Sequence, residues 1–433
     1  MTSAAFHVQQ VRRHLETGNA AQALADAEQG LAAHPRDASL QLVAAQGLMA
    51  LERFTEAVAQ LEALTAAAPE TGEAWMRLGA CRLHMGDMEG AVDALEHGVA
   101  CAPDSFIARL QLAEALQAMD RTDDALVHFF RAVTTAQARG RWLGDQTTAP
   151  DLRERVRRAM TIIDAGRHAL FFNAITPLVE QHGTDDLRRV AQALEGYLGL
   201  RRPAGSPDPR QKPTFFYVPD LQPEPYFDRA LFPWYAALEQ AADAIRADLQ
   251  QVLAAREGLQ PFLDFSGGAR KSDFLDNARD LDAAAWDGYF FYRHGKAYAE
   301  HLAACPATSA ALAQVPLTRI DGHAPEVLFS LLSPGTVIKP HHGVTNSRVV
   351  THLPLIVPPD CALEVGGVEH AWTEGRCVTF DDSFLHAAWN RSDRLRVVMI
   401  LDTWHPRLRE VEVQALTRLV ETIGTFNTRA GVA

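Results

Sequence analysis

The sequence predicts a multidomain α + β protein, with an α-helical repeat solenoid first and a domain of short β-strands towards the C-terminus. Three observations support this prediction. Marker residues recur every 34 positions in the first third of the chain, a segment rich in proline, glycine and charge follows at 201–213, and short runs of Val, Ile, Leu, Phe and Thr come after it. With 433 residues and 47% hydrophobic content, the chain can bury more than one core.

The charge balance is acidic, with 54 Asp and Glu against 41 Lys and Arg and a formal net charge of -13. Such a surface repels phosphate backbones, and the sequence contains no run of five or more Lys or Arg. We therefore expect no nucleic-acid binding.

The cysteines and the N-terminal residues bear on the cellular setting. Cys81, Cys101, Cys305, Cys361 and Cys377 form no CxxC pair, so neither a zinc knuckle nor a disulfide framework is predicted. The N-terminus carries charges where a signal peptide needs an apolar segment, and no stretch approaches the roughly 18 apolar residues of a membrane span. We expect a cytoplasmic protein without a membrane span.

An internal repeat dominates residues 5–137. Each repeat of 34 residues contains an amphipathic helical stretch, a short polar turn and a second helical stretch. Small residues are needed where two helices cross closely, and a proline ends the second helix before the next repeat. The markers with this period are Pro35, Pro69 and Pro103; Ala23, Ala57, Ala91 and Ala125; and Ala45, Gly79 and Ala113.

This pattern resembles the tetratricopeptide repeat, and the second repeat reproduces it best through Trp75, Leu78, Gly79, Ala91, Leu95 and Pro103. Gln41 and Arg109 stand where the second repeat has Trp75, so the repeats are degenerate. Two interpretations stay open. The solenoid either covers the next domain or presents a concave groove that binds a protein or peptide.

The segment 138–212 loses the period and is predicted to be a helical connector that ends in the linker RRPAGSPDPRQKP. A further helical stretch covers 232–253. Short apolar runs at 326–332, 347–357, 361–365, 377–380 and 394–404 then predict many short strands, as in a sandwich or barrel. The second domain is expected at 213–410, followed by a C-terminal helix and tail at 411–433.

Histidines are concentrated in this second domain. His341 follows a turn-forming segment, and His386 follows the acidic turn FDDS, so both lie at strand ends. Imidazoles from neighbouring strand ends can share one cation, and a redox-active iron needs such neutral nitrogen ligands together with open positions. Arg396 lies inside the apolar run RLRVVMIL, where a buried guanidinium needs a carboxylate partner.

The segments PHHGVTN at 340–346 and FDDSFLHAAWN at 380–390 resemble the aspartyl/asparaginyl β-hydroxylase family of iron(II)- and 2-oxoglutarate-dependent dioxygenases. The resemblance covers roughly residues 213–408. It implies a double-stranded β-helix, also called a jelly roll or cupin-like fold, flanked by helices. It also implies that the site holds Fe(2+) as its metal ion and uses 2-oxoglutarate and O2 as cosubstrates.

The resemblance also implies roles for individual residues. His341 and His386 fall on the two iron-ligand positions. Ser330, His352 and Arg396 fall on the positions that hold 2-oxoglutarate, with Arg396 as the partner of its distal carboxylate. Trp286 and Arg348 are further candidates for the same pocket, and Val350 stands where some relatives have an arginine.

The third metal ligand is open at this point. A facial triad would place a carboxylate two positions after His341, and this chain has Gly343 there. Members of the family characteristically lack that carboxylate. Asp381 and Asp382 are rival ligands, although turn capping explains both. His342 is not expected to bind the same ion as His341 because adjacent strand residues point to opposite faces.

Three functions remain from the sequence. The leading hypothesis is hydroxylation of the β-carbon of Asp or Asn in a protein or peptide that the repeat groove recruits. The first alternative is hydroxylation of a small molecule, a free or carrier-bound amino acid, or an acyl chain. The second alternative is a repeat scaffold whose oxygenase domain is inactive or only senses 2-oxoglutarate.

Overall fold

A computed structural model describes residues 3–201, 205–263, 270–277 and 280–432. Residues 202–204 of the predicted linker lie outside this described part. The chain divides into two compact units, 1–167 with 426–433 and 168–425. The boundaries predicted at 138, 213 and 411 stay predictions. No helix in the described ranges is both long and apolar enough to cross a membrane.

The first unit is built from helices in which each packs against the next one along the chain. Ser3, Asn19, Asp37 and Asp87 accept backbone N–H groups at helix starts and so cap helices one, two, three and six. The eight helices of the repeat region are α1 (Ala4–Glu16), α2 (Ala20–Ala33), α3 (Ala38–Ala50), α4 (Phe54–Ala67), α5 (Gly72–Met85), α6 (Met88–Cys101), α7 (Phe106–Ala118) and α8 (Thr122–Ala138).

Small residues lie at the helix crossings, as the repeat pattern predicts. A Cβ atom added to Gly79 would approach Leu95 Cγ to 2.5 Å, and one added to Gly98 would approach Met76 Cγ to 2.7 Å. Because real Cβ atoms need more room than this, only glycine permits these helix pairs to approach so closely.

The degenerate position of the repeat keeps one hydrogen bond. Trp75 Nε1 donates to the carbonyl oxygen of Pro69 at 2.9 Å. Gln41 Nε2 donates in the same way to Pro35 O at 3.1 Å, and the Arg109 guanidinium donates to Pro103 O at 2.9 Å. In each of these repeats a different side chain therefore donates to the equivalent proline carbonyl, just after the preceding helix. This shared hydrogen bond explains why the position tolerates substitution.

The other helices precede, interrupt or follow the strands along the chain. The connector region contains the long helix that the apolar spacing predicts. These helices are α9 (Arg153–His182), α10 (Arg188–Tyr197), α11 (Tyr235–Gln240), α12 (Ala242–Ala255), α13 (Lys271–Phe274), α14 (Ala299–Ala304), α15 (Pro306–Leu312) and α16 (Glu410–Ala430).

Within the described residues of the second unit, twelve strands form two antiparallel sheets. They are β1 (Gln260–Pro261), β2 (Leu275–Asn277), β3 (Trp286–Arg293), β4 (Lys296–Ala297), β5 (Val327–Leu332), β6 (Thr336–His341), β7 (Arg348–Ile356), β8 (Cys361–Val365), β9 (Val368–Ala371), β10 (Val378–Phe380), β11 (His386–Asn390) and β12 (Arg396–Trp404). The large sheet has the order β1-β3-β5-β12-β7-β10, with β4 paired to β3, and the small sheet has the order β2-β6-β11-β8-β9.

From β5 to β12 the chain passes back and forth between the two sheets, except that β8 and β9 are consecutive in the small sheet. Strands β5, β7, β10 and β12 belong to the large sheet, and β6, β8, β9 and β11 belong to the small one. This alternation is typical of a jelly roll. The predicted fold class, helical repeats followed by an antiparallel β domain with flanking helices, is confirmed.

The large sheet separates two cores. On strand β12, Val397, Met399 and Leu401 face outward and pack in a core that also holds residues of α11 and α12. The alternate residues Val398 and Ile400 face inward, into a second core shared with the small sheet. The period of two along the strand therefore assigns every second residue to the interior between the sheets.

Candidate active site

Residues from both sheets line one cavity of about 310 Å³. Hydrophobic side chains form much of its wall, and histidines, arginines and carboxylates project into it. All seven residues that the sequence singled out as site residues line this cavity: Trp286, Ser330, His341, Arg348, His352, His386 and Arg396. Their roles as ligands stay predictions.

His341 and His386 face each other across the small sheet. They are directly paired in the register of β6 and β11, and their ring centroids lie 4.1 Å apart. Each Nδ1 lies against a backbone carbonyl, Lys339 O at 2.8 Å and Phe384 O at 3.0 Å. Because a carbonyl only accepts, Nδ1 carries the proton and Nε2 keeps its lone pair.

The electrostatics favour the neutral form of these imidazoles. Burial lowers the pKa of His341, and burial together with the neighbouring His341 lowers the pKa of His386 to about 3. Both rings are therefore uncharged at neutral pH, as metal coordination requires.

Gly343 stands where a facial triad would have its carboxylate, and a residue from another strand end fills the space beside it. A Cβ atom added to Gly343 would lie 2.2 Å from Asp382 Oδ2, and Gly343 N donates to Asp382 O at 2.7 Å. Burial, opposed by the charge of Arg348, raises the pKa of Asp382 to about 8. No group of three His, Cys, Asp or Glu side chains in the described ranges is placed to hold a metal ion.

Asp381, the other rival ligand, and His342 have different surroundings from Asp382. The Asp381 carboxylate accepts from Ser383 N and from Gln211 Nε2, so it caps the turn before β11. His342 also lines the cavity, with its Nδ1 at 2.9 Å from Ser383 O, and the expectation that it does not bind the same ion stays a prediction. Strand β6 ends at His341, and strand alternation therefore no longer applies to the next residue.

A second end of the cavity is built to receive an anion. The Arg396 side chain is fully buried, and its pKa is lowered by burial to about 10, so the guanidinium keeps its charge at neutral pH. Among the described residues, three buried polar atoms here have no hydrogen-bond partner: Arg396 Nε, His352 Nδ1 and Trp372 Nε1. Since unpaired buried polar groups are costly, a carboxylate is the complementary ligand.

Two aromatic residues border this end. Trp286 Nε1 donates to Ser330 Oγ at 2.9 Å, and the Trp286 ring stacks on Phe262 at 3.9 Å. The Arg396 guanidinium lies 5.0 Å from the centroid of Trp372. Burial, reinforced by the charge of Arg396, lowers the pKa of His352 far below its usual range, so the ring is neutral.

Arg348 lies at the other end of the same cavity and is already paired. Its guanidinium contacts Asp402 at 3.3 Å. Burial lowers the pKa of Arg348, but the carboxylates of Asp402, Asp382 and Glu326 outweigh it and raise the pKa above its ordinary value. Asp402 also accepts the backbone N–H of Glu326 at 2.9 Å, so its carboxylate is fixed.

Residues 239–406 match the aspartyl/asparaginyl beta-hydroxylase family, and residues 42–106 match the tetratricopeptide repeat. Residues 239–406, here called the hydroxylase domain, are similar to the aspartyl/asparaginyl beta-hydroxylases. Within this hydroxylase domain lie both histidines of the facing pair and the buried Arg396.

Relatives of the hydroxylase domain include two differently named proteins. Aspartate beta-hydroxylase domain-containing protein 2 of Homo sapiens is 35% identical over 209 residues, which cover 48% of this chain and 54% of that protein. Ornithine lipid ester-linked acyl 2-hydroxylase of Rhizobium tropici is 34% identical over 186 residues, 42% of this chain and 61% of that protein. The chain thus spans just over half the length of these relatives.

A solved structure resembles the repeat region. The first TPR of Spaghetti (RPAP3), bound to an HSP90 peptide, is 22% identical, with a TM-score of 0.27, and the match covers 27% of this chain and 94% of that one.

The cavity residues of the hydroxylase domain that the sequence did not single out include Phe262, Glu326 and Asp402. One signal was available for Asp402, because it follows Arg396 at an even spacing on the same strand and so shares its inward face. Glu326 lies just before β5 and Phe262 just after β1, and no local pattern marks either residue.

Proposed function

We propose that the hydroxylase domain is an iron(II)- and 2-oxoglutarate-dependent dioxygenase that hydroxylates a carbon–hydrogen bond. The observation that carries this proposal is one cavity with two complementary ends. A facing pair of neutral imidazoles lies at one end, and a buried guanidinium with an unpaired Nε lies at the other. The family match and the hydroxylase names of the relatives agree with this chemistry.

The residues present fit both groups. His341 and His386 offer two Nε2 lone pairs, a donor set that suits iron(II) and leaves positions for other ligands. Arg396, Ser330 and His352 would hold the carboxylates of 2-oxoglutarate. When bound, iron(II) and 2-oxoglutarate supply the oxidative decarboxylation that makes dioxygen able to hydroxylate an unactivated carbon.

The chain itself contributes orientation and a shielded pocket. The backbone carbonyls of Lys339 and Phe384 hold the two imidazoles in the tautomer that can coordinate a metal. The Trp286 indole N–H fixes the Ser330 hydroxyl beside Arg396. The apolar wall keeps water away from the position between the two ends.

Anaerobic titration with iron(II) and then 2-oxoglutarate tests this function before a substrate is known. We expect a visible charge-transfer band in the wild-type protein, and its loss in His341→Ala and His386→Ala. His370→Ala is the matched control, because this half-buried histidine of β9 packs against the Tyr226 ring, with centroids 5.4 Å apart, and is not among the described residues that line the cavity. A wild-type protein that forms no band would leave the scaffold without enzyme activity as the better interpretation.

The substrate is a separate proposal. The repeat region supports a protein or peptide target, as the leading hypothesis has it, with Asp or Asn as the hydroxylated residue. The name of the Rhizobium tropici relative supports the alternative of an acyl chain. These two substrates differ in what must enter the cavity, a short polar side chain or a hydrocarbon chain.

Recruitment by the repeats can be tested with the full-length chain. Gln46 and Arg77 lie on the first helices of successive repeats, α3 and α5, and Glu73 contacts both of them. We expect Gln46→Ala combined with Arg77→Ala to reduce turnover of a protein substrate while the iron and 2-oxoglutarate band stays unchanged. Equal turnover by this variant and the wild type would contradict recruitment through Gln46 and Arg77.

A further inference from the structure

The charges inside the cavity limit what can lie beside the histidine pair. Among the described residues that line it, only Arg348 and Arg396 carry a permanent positive charge. Arg396 is buried, pairs with no carboxylate of the described residues and is the complement of the distal carboxylate of 2-oxoglutarate. The charge that remains for a substrate is therefore that of Arg348.

The positive charge of Arg348 is balanced by a nearby carboxylate. Its guanidinium pairs with Asp402 at 3.3 Å, and the exposed fractions of the two side chains are 18% and 4%. Asp402 is held in place because it accepts Glu326 N at 2.9 Å. The Glu326 carboxylate also lines the cavity, and it contacts His294 at 2.9 Å.

A substrate carboxylate would meet unfavourable groups at this end. If it replaced Asp402 on Arg348, the Asp402 carboxylate would be buried without its cation, and if it bound beside Asp402, two carboxylates would share one guanidinium. It would also approach the Glu326 carboxylate, which lines the same wall. Both effects disfavour an acidic group at this end of the cavity.

The remaining wall is hydrocarbon. On β7, Val350 takes the inward position between Arg348 and His352, directly across from Asp402 on β12. Ile400 takes the corresponding position on β12, across from His352. The apolar side chains that line the cavity also include Leu328, Ile338, Val344, Leu363, Phe380 and Phe262.

We propose that the group inserted beside His341 and His386 is an uncharged aliphatic chain and not a carboxylate-bearing side chain. This inference rests on the proposed hydroxylase function and narrows its substrate class. The chain can come from an acyl ester or from an aliphatic side chain of a peptide, because the cavity wall recognises the hydrocarbon that they share.

Two matched probe pairs test this inference. Methyl octanoate and monomethyl suberate have the same length and differ by a terminal carboxylate, and N-acetylnorleucine amide and N-acetyl-2-aminoadipic acid α-amide repeat the comparison on an amino acid. Calorimetry with excess 2-oxoglutarate, which keeps Arg396 occupied, measures their binding to the full-length protein. We expect at least one neutral probe to bind about tenfold or more tightly than its acidic partner, a difference of about 1.4 kcal/mol.

The two neutral probes also distinguish the sources of the chain. Tighter binding of the octanoate indicates an acyl substrate, and tighter binding of the norleucine amide indicates a peptide substrate. Acidic probes that bind as tightly as their neutral partners would overturn the inference. The anaerobic band is scored separately, so failure of the oxygenase function and failure of this substrate preference give different results.

A variant makes the test directional. Val350→Arg places a second guanidinium across from Asp402, which leaves one arginine available to an acidic group. We expect this variant to lose the preference for neutral probes or to reverse it. Val368→Arg adds the same charge at an exposed position of β9, outside the cavity, and should behave as the wild type does.

Discussion

The Asp382 carboxylate occupies the space that a side chain at Gly343 would fill, since a Cβ atom built there would lie 2.2 Å from Asp382 Oδ2. The two residues come from different strand ends, after β6 and before β11, and a backbone hydrogen bond of 2.7 Å joins them. Any side chain at position 343 would therefore clash with Asp382, which gives a steric reason why this position has no carboxylate. The site has a carboxyl group at this place, and it comes from the acidic turn.

Gly343→Ala should displace the Asp382 side chain. We expect it to lower the free energy of unfolding by about 1–3 kcal/mol, as overpacking of a close-packed site does. Denaturant unfolding measures this loss, and combining the change with Asp382→Ala should recover most of it. Gly205→Ala is the control, because a Cβ atom there meets nothing within 4 Å. A Gly343→Ala protein as stable as the control would contradict the packing argument.

Arg396→Ala should weaken 2-oxoglutarate binding and leave iron binding intact. Removing one partner of a buried charge pair costs at least about 2 kcal/mol, which corresponds to a Kd about 30-fold higher. The visible band at saturating iron(II) gives this Kd. Arg394→Ala, an exposed arginine two residues earlier, is the control. Unchanged 2-oxoglutarate affinity in Arg396→Ala would remove this residue from the cosubstrate site.

Trp286→Phe should release the Ser330 hydroxyl from its donor. The lost hydrogen bond is worth about 1 kcal/mol, so we expect the KM for 2-oxoglutarate to rise about fivefold while kcat changes little. In a Ser330→Ala background the same substitution should have no further effect on KM. Trp234→Phe, which alters a tryptophan packed in the outer core, serves as the comparison. A fall in kcat alone would contradict a positioning role.

Glu412→Gln tests a buried ion pair outside the cavity. Glu412 is fully buried and contacts Arg189 at 2.5 Å and Arg409 at 3.4 Å. Burial raises the pKa of Glu412, but the hydrogen bonds from Arg189 and Arg409 outweigh it and leave the pKa below the ordinary value. We expect the substitution to cost about 3 kcal/mol at pH 7, because the guanidinium groups lose their counter-charge.

The pH dependence of this pair follows from the direction of the shift. A carboxyl group with a depressed pKa stabilises the fold fully above its unfolded value, about 4.3, and loses this contribution as the pH falls through its folded value. Urea unfolding at pH 7 and at pH 3.5 should therefore show a smaller pH effect in Glu412→Gln than in the wild type. Glu410→Gln, at an exposed position of the same helix, should keep the wild-type dependence.

Periodicity made the first unit and many strands predictable. The 34-residue spacing placed Pro35, Pro69 and Pro103 directly after the second helix of each pair, which is where the structure has them. The apolar runs gave β5, β7, β8, β10 and β12. Strands β6 and β11 were harder to recognise, because turn residues, histidines and asparagine interrupt their hydrophobic pattern.

The candidate site was predictable only where a motif carried it. The sequence motifs indicated His341, His386 and Arg396 as candidate site residues, and all three line one cavity in the structure. The pairing of Arg348 with Asp402, which are 54 positions apart in the chain, depends on the register of β7 against β12. Periodicity reports which face a residue occupies, but the partner across a sheet depends on long-range register, which a single sequence does not contain.

The strict alternation on β12 separates what keeps this domain folded from what it can act on. Val397, Met399 and Leu401 belong to the outer core, whereas Arg396, Ile400 and Asp402 line the cavity. Single substitutions at the inner positions can therefore change selectivity while the outer core stays intact. A deletion of one residue in this strand would exchange the two sets at once. The domain is thus open to redesign by point mutation and intolerant of insertions or deletions within β12.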